Sequence, residues 1–217
     1  MICLYEDLAQ LTLIVQKFGG SSLSSPSHIK NAAKVVAQKV NEQQKVLVVV
    51  SAMGKATNQL LALANEVSST PSQREMDMLL SSGERVSMAL MSMALQDLNI
   101  PAISLTGSQS GILTDETHGN ARICSIEGQR IRARLESYPV VIIAGFQGVS
   151  PKTKEVTTLG RGGSDLTAIA LAASLEASCC EIYSDVPGLL SAHPNICQKP
   201  KLLPYVSWEQ MAQLSWG

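Results

Sequence analysis

The chain has 217 residues, 45% of them hydrophobic, 16% charged and 4% aromatic, and 17 Lys+Arg against 18 Asp+Glu leave a formal net charge of −1. A near-neutral chain without a basic block is poorly suited to neutralising nucleic-acid phosphates, and so few aromatic rings offer little stacking surface for single strands. No apolar run approaches the roughly 18 residues of a membrane span, and Glu6 and Asp7 stand where a secretory signal would be positive.

In chain order, Leu11–Gln16 is a β-rich run that stops at Phe18-Gly19-Gly20. Pro26–Val40 follows at helical spacing, with Ser24 or Ser25 as N-cap and Pro26 in the first turn. Val46–Val50 is a short continuous apolar run, the pattern of a strand buried on both faces. Two helical stretches come next, Thr57–Val67 and Arg74–Leu98, the second with a kink or a division expected at Ser81-Ser82-Gly83. Ala102–Leu105 reads as a strand, Gly107–Ala121 as a loop with a short strand at Ile112–Thr114, Glu127–Leu135 as a helix and Val140–Phe146 as a buried strand. Val156–Leu159 is a strand that runs into Gly160-Arg161-Gly162-Gly163-Ser164-Asp165, which opens an apolar helix over Leu166–Leu175. Cys180–Tyr183 is the last clear strand, and Ser207–Trp216 has the look of a helix. Alternating strands and helices predict an α/β fold with a parallel sheet covered on both faces. No linker or repeat divides the chain, so a single domain, residues 1–217, is expected. The five cysteines include no C-x-x-C pair, and they read as reduced thiols of a cytosolic protein.

In open parallel sheets ligands bind at the carboxyl ends of the strands. Polar and glycine-rich loops gather there: Lys17–Ser22, Ser51–Thr57, Gly145–Gly148 and Tyr183–Asp185. Glycine lets backbone N–H groups approach an anion, and a helix N-terminus adds partial positive charge. Neither standard nucleotide fingerprint is present. Gly54-Lys55-Ala56 lacks the hydroxyl after Lys that a P-loop needs, and Gly160 and Gly162 are followed by Asp165 where a dinucleotide loop has glycine. In chemical terms Lys17 suits a transferring phosphoryl group, Arg161 a carboxylate clamped bidentately, and Glu84 an ammonium. Asp165 suits the orientation of Lys17 or a metal-bound phosphate. Two plainer readings stay open: Glu84 and Arg85 as a solvated helix pair, and Asp165 as a charge complementing a helix N-terminus.

The stretches VQKFGGSS (Val15–Ser22), VVSAMGKAT (Val49–Thr57), REMDMLLSSGER (Arg74–Arg85), TGSQSGILTDETHGNARI (Thr106–Ile123), IAGFQGV (Ile143–Val149), TTLGRGGSDLTA (Thr157–Ala168) and EIYSDVPG (Glu181–Gly188) resemble, in order, the catalytic domain of the aspartokinases, within the amino acid kinase family. The resemblance implies a three-layer α/β/α sandwich around a mainly parallel sheet. It implies ATP-dependent phosphorylation of the side-chain carboxylate of L-aspartate to 4-phospho-L-aspartate, the first step towards lysine, threonine, methionine and diaminopimelate. Carried over by position, Lys17 and Asp165 would be catalytic. Ser51, Thr57, Glu84, Phe146 and Arg161 would bind aspartate. Lys17, Gly19, Gly20, Ser21, Gly162, Gly163, Tyr183, Ser184 and Asp185 would hold the nucleotide, with Mg²⁺ arriving on the phosphates of Mg-ATP. His118 falls in a matching loop and is expected to be structural. The implied setting is cytoplasmic, without nucleic-acid or membrane partners, in a homodimer or larger homo-oligomer of the full-length enzyme.

The pattern departs from the family in two places. Leu190, His193 and Asn195 stand where a Tyr, an Asp and an Arg are usual, and a lost cationic phosphate contact would cost about 1.5–3 kcal/mol of ATP binding. The chain also stops before a further family Lys and the ACT regulatory domains, so a catalytic domain incomplete at its C-terminus is expected. Two alternatives accompany this reading. One is a sister kinase acting on glutamate, N-acetylglutamate, carbamate or UMP; the other is a catalytically impaired binding or regulatory homologue.

Overall fold

The runs Lys45–Val50 (β2) and Val140–Ala144 (β6) are almost wholly β-branched or aliphatic, and every residue from Val46 to Val50 and from Val140 to Ala144 is buried. Such runs suit interior strands of a parallel sheet, where both faces are covered. In the computed structural model, which describes residues 12–186, 188–192, 197, 199–207 and 209–210, they lie side by side in a five-stranded sheet. Leu13–Phe18 (β1), Ala102–Leu105 (β3) and Cys179–Tyr183 (β9) complete it in the order β3-β6-β2-β1-β9, all parallel. The described residues fall into two units, one ending at Tyr183 and one beginning at Ser184.

Strand alternation sends side chains to two separate cores. Ile14 and Phe18 of β1, with Val46, Val48 and Val50 of β2, pack on Ile29, Ala33 and Val36 of helix Pro26–Asn41 (α1) and on Met91 and Leu95 of helix Gln73–Gln96 (α3). Val15, Leu47, Val49, Val141 and Ile143 face the other way, onto Ile131 and Leu135 of Gln129–Ser137 (α4) and Ala168, Leu171 and Leu175 of Gly163–Leu175 (α5). This is the expected three-layer α/β/α arrangement. By the same alternation Lys17 shares the face of Val15 and points to the α5 side. Ser25 caps α1, accepting the His28 N–H at 3.3 Å, with Pro26 as its first residue. Helix Ala56–Val67 (α2) precedes α3.

Four expectations are corrected. Helix α3 is continuous, because the Ser81 and Ser82 hydroxyls return to the Met78 and Leu79 carbonyls at 3.0 and 2.6 Å while Gly83 fills a site too tight for a side chain. The first strand runs on to Phe18, so Lys17 belongs to the strand itself. Helix α5 begins at Gly163, with Ser164 and Asp165 in its first turn. A second, four-stranded sheet joins Ile123–Ile126 (β5), Ile112–Thr114 (β4), Gln147–Val149 (β7) and Val156–Thr158 (β8), in that order. Its β7 occupies a stretch expected to be loop. β4 and β8 fall on expected strands, whereas β5 and β7, of four and three residues, are too short for alternation to reveal.

In the second unit Leu190 bridges Leu202, with the Ser191 and Leu203 N–H groups donating to Lys201 and Leu189 carbonyls at 2.8 Å each. His193 and Asn195 lie outside the described residues, as does most of the expected helix Ser207–Trp216. Ser207 and Gln210 exchange the two bonds of a capping box, at 2.9 and 3.3 Å, where that helix would start.

Candidate active site

Lys17, at the carboxyl end of β1, is 7% exposed. A nearly buried ammonium needs a counter-charge, and it has one: its Nζ lies 2.6 Å from Oδ1 of Asp165. Asp165 sits in the first turn of α5, where a negative charge also complements the helix N-terminus. Asp165 thus lies both beside Lys17 and at the N-terminus of α5.

Glu84 is delivered by close packing. α3 approaches the loop after β2 so tightly that a Cβ on Gly83 would stand 2.8 Å from the Ala52 Cβ. At that separation the Ala52 N–H donates to Glu84 Oε1 at 3.0 Å. Glu84 is 3% exposed and its Oε2 has no hydrogen-bond partner among the described residues. Burial pushes its pKa up to about 7, against the smaller opposing effect of the Ala52 N–H. A solvated Glu84–Arg85 pair is thereby excluded.

The third wall is the segment after β6 and the loop before α5. Phe146 has φ 68°, a left-handed conformation that costs a non-glycine residue roughly 1–3 kcal/mol. Both of its backbone groups are engaged, the N–H donating to Thr167 Oγ1 at 3.2 Å and the carbonyl accepting the Leu159 N–H at 2.9 Å. Opposite it, Gly162 takes φ 76° at the start of α5, in open space where an added Cβ would touch nothing within 4 Å. Glycine is needed there for its backbone, not for room. Arg161 is exposed and makes no ion pair among the described residues.

One cavity of about 490 Å³ brings these groups together. Lys17, Gly20, Ser51, Thr57, Glu84, Phe146, Arg161, Gly162, Gly163 and Asp165 line it, and so do Ala52, Gly54, Gly160 and Ser164, which the sequence reading had not singled out. Ser164 could have been found, since it lies within the same glycine-rich run. Gly19 and Ser21 flank the cavity, Gly19 donating its N–H to the Tyr183 carbonyl at 3.2 Å and Ser21 opening a short 3₁₀ turn. The Tyr183 ring is engaged elsewhere: it stacks on Phe18 with centroids 4.7 Å apart, and its hydroxyl donates to Glu181 at 2.8 Å. Burial, with the Glu181 carboxylate beside it, pushes that phenol up to about 12. Ser184 and Asp185 belong to the second unit, where their side chains meet at 3.2 Å.

The cavity therefore holds a buried carboxylate with one oxygen unpartnered and a guanidinium unpaired among the described residues, an ammonium held by a carboxylate, and a helix N-terminus with bare glycines. That set matches a zwitterion on one side and a polyanion on the other. The family model described as "Amino acid kinase family" matches residues 12–217. The chain belongs to the amino acid kinase family. Among proteins similar to it, the aspartokinase of Geobacillus stearothermophilus is 51% identical over 203 residues, 94% of this chain and 50% of that relative. The chain thus spans about half the length of the curated relatives it matches. Of solved structures, the aspartate kinase from Synechocystis superposes with a TM-score of 0.81 at 46% identity, covering 94% of this chain and 34% of that one. Aspartokinase III of E. coli, in complex with aspartate and ADP, gives 0.77 at 27% identity, covering 88% of this chain and 53% of that one. Among the described residues, no helix of this amino acid kinase is long and apolar enough to cross a membrane.

Proposed function

We propose that this chain catalyses transfer of the γ-phosphoryl group of ATP to the side-chain carboxylate of L-aspartate, giving 4-phospho-L-aspartate and ADP. One observation carries the substrate class: a buried Glu84 with an unpartnered oxygen shares a cavity with an exposed Arg161 that has no ion pair among the described residues. A free α-ammonium supplies the charge that Glu84 lacks, and a free α-carboxylate suits Arg161. An N-acylated amino acid offers no ammonium, and a nucleoside monophosphate offers neither group.

The chemistry needs positioning and charge neutralisation more than proton transfer, because a carboxylate is already a nucleophile. Ser51 and Thr57 hold the reacting carboxylate, and Glu84 and Arg161 hold the other end of aspartate. The carboxylate oxygen bonds to the γ-phosphorus as the bond from that phosphorus to the β–γ bridging oxygen breaks, and ADP leaves with the electron pair. Lys17 neutralises charge growing on the bridging oxygen, and Asp165 keeps its Nζ in place. Gly19, Gly20, Gly162 and Gly163 offer backbone N–H groups to the phosphates, with Ser21 and Tyr183 along the nucleotide. Asp165, half exposed in the first turn of α5, is the carboxylate that suits a metal riding on those phosphates. When bound, Mg²⁺ would supply further neutralisation of phosphate charge. The setting proposed is the cytoplasm, in a single catalytic domain of a longer, homo-oligomeric enzyme that opens the pathway to lysine, threonine and methionine.

ADP release with aspartate, glutamate, N-acetylglutamate, carbamate and UMP, offered singly and in competition, tests this, and the acyl phosphate formed on aspartate is trapped as its hydroxamate with hydroxylamine. Aspartate is expected to be preferred; preference for any of the others overturns the substrate assignment.

A further inference from the structure

Asp77 lies on α3 outside the cavity lining just described and is 0% exposed. Its carboxylate accepts bonds from two separate segments. Thr158 Oγ1 donates to Oδ1 at 2.5 Å, and the Gly119 N–H reaches the two oxygens at 3.0 and 3.2 Å. Nδ1 of His118 stands 2.6 Å from Oδ2. The other ring nitrogen of His118 lies 3.4 Å from Glu155 Oε2, and Arg74 Nε donates to Glu155 Oε1 at 3.3 Å. The Ala121 N–H donates to the Thr158 carbonyl at 2.8 Å, closing the turn onto the end of β8.

This knot sits directly before the Arg161 loop. Thr158 is the last residue of β8, Leu159 bonds the strained Phe146 carbonyl, and Gly160 and Gly162, at φ 75° and 76°, bracket Arg161. A second cavity of about 430 Å³ is lined by Asp77, Gly119 and Thr158, and it shares Thr57, Phe146, Gly160 and Arg161 with the first. A guanidinium between two glycines has little local restraint of its own, because glycine backbones are conformationally free. Its place must be set by what anchors the loop.

We propose that Asp77 is a positioning residue for Arg161, acting through Thr158 and the 117–120 turn. The inference rests on the reading above in which Arg161 binds the α-carboxylate. Asp77 and Glu84 are seven residues apart, two helical turns, and so share one face of α3. A single rigid helix thus fixes the ammonium contact directly and the carboxylate contact indirectly, and the spacing between them is a property of α3. This is specificity for an α-amino acid written into a helix, with His118 as a strut of the same knot.

Thr158→Val, which keeps shape and removes the hydroxyl, is the main test, with Thr158→Ser as the conservative rescue and Asp77→Asn as the stronger variant. In the ligand-free full chain, amide hydrogen exchange of Leu159, whose N–H holds the Phe146 carbonyl, is expected to quicken roughly tenfold in Thr158→Val, the scale of one buried hydrogen bond. Exchange within β2 should stay as in the wild type. In the kinase assay, KM for aspartate should rise about tenfold, with KM for ATP within about twofold, and Thr158→Ser should restore both readouts. Unchanged loop exchange, or loop and β2 exchange rising together, overturns the proposal, as does a parallel rise in both KM values. If the wild type does not phosphorylate aspartate, the functional reading fails alone, and the exchange experiment still decides the clamp.

Discussion

On α3, Glu84 is 3% exposed, with one oxygen on the Ala52 N–H and the other without a partner; on α5, Asp165 is 44% exposed and lies 2.6 Å from Lys17. Both carboxylates line one cavity, yet one carries an electrostatic deficit and the other is already neutralised. The difference separates two tasks. A deficit is made good only when a cation arrives, so Glu84 serves recognition: its desolvation is repaid by an ammonium and by little else. A standing ion pair recognises nothing by itself, but it keeps a nearly buried Lys17 aimed without waiting for substrate. That is preorganisation, the property that stabilises charge developing in a transition state.

If the division is right, breaking each side gives a different signature. The largest effect is expected at Lys17→Ala, a loss of turnover on the order of 10²-fold or more with aspartate affinity little changed, read by steady-state kinetics together with calorimetry. Equal losses in turnover and aspartate affinity would erase the distinction. Glu84 comes next, and its signature is in stability without ligand. Its folded pKa, about 7, is raised above the ordinary carboxylate value of 4.5, so the folded state holds the proton more tightly than the unfolded state. That contribution is fully present below pH 4.5 and is lost as pH rises through about 7, a change of at most about 3 kcal/mol. Denaturant titrations should show wild-type stability falling across this window, and Glu84→Gln losing less. Bound aspartate should reverse the trend, since its ammonium favours ionised Glu84, and aspartate affinity should fall as pH drops below about 7. In Glu84→Gln the charge-assisted contact is gone, and aspartate affinity should drop roughly tenfold or more while ATP affinity holds.

How far the sequence revealed this can be traced residue by residue. The parallel sheet was legible because β2 and β6 are continuous apolar runs, and the α1 start because Ser25-Pro26 is a cap followed by a first-turn proline. The site loops were legible because Lys17 and Arg161 sit in glycine-rich surroundings at element ends, and Glu84 was legible as the charge that follows Ser81-Ser82-Gly83 within α3. The second sheet was not fully legible: β4 and β8 fall on expected strands, but β5 and β7 have only four and three residues, and β4 meets β7 through a single register pair, Leu113 with Val149. Nor was the continuity of α3. Ser-Ser-Gly reads as a break by propensity, and only the contact between Gly83 and Ala52 shows why glycine is wanted in mid-helix. The role of Asp77 was hidden for the same reason: its partners lie 41, 42 and 81 residues away in the chain.

The same Gly83 contact offers the finest test of the α3 wall. Replacing a mid-helix glycine by alanine ordinarily stabilises a helix by about 1 kcal/mol. Here the new Cβ would lie 2.8 Å from the Ala52 Cβ, and both atoms are anchored close to backbone, so neither can swing aside. Overpacking of that kind costs about 1–3 kcal/mol, which outweighs the propensity gain and leaves a net loss of no more than about 2 kcal/mol. The strain should be relieved where the helix meets the loop, lengthening the bond from the Ala52 N–H to Glu84. Gly83→Ala is therefore expected to weaken aspartate binding severalfold while leaving the Lys17–Asp165 side, and with it ATP affinity, near the wild type. Ala52→Gly should undo the effect in the double variant, because it removes the other half of the clash and keeps the N–H donor. A double-mutant cycle on aspartate affinity measures this coupling directly. Additive losses would mean that the close approach of α3 does not set the Glu84 contact, and the contrast between the two walls would then rest on burial alone.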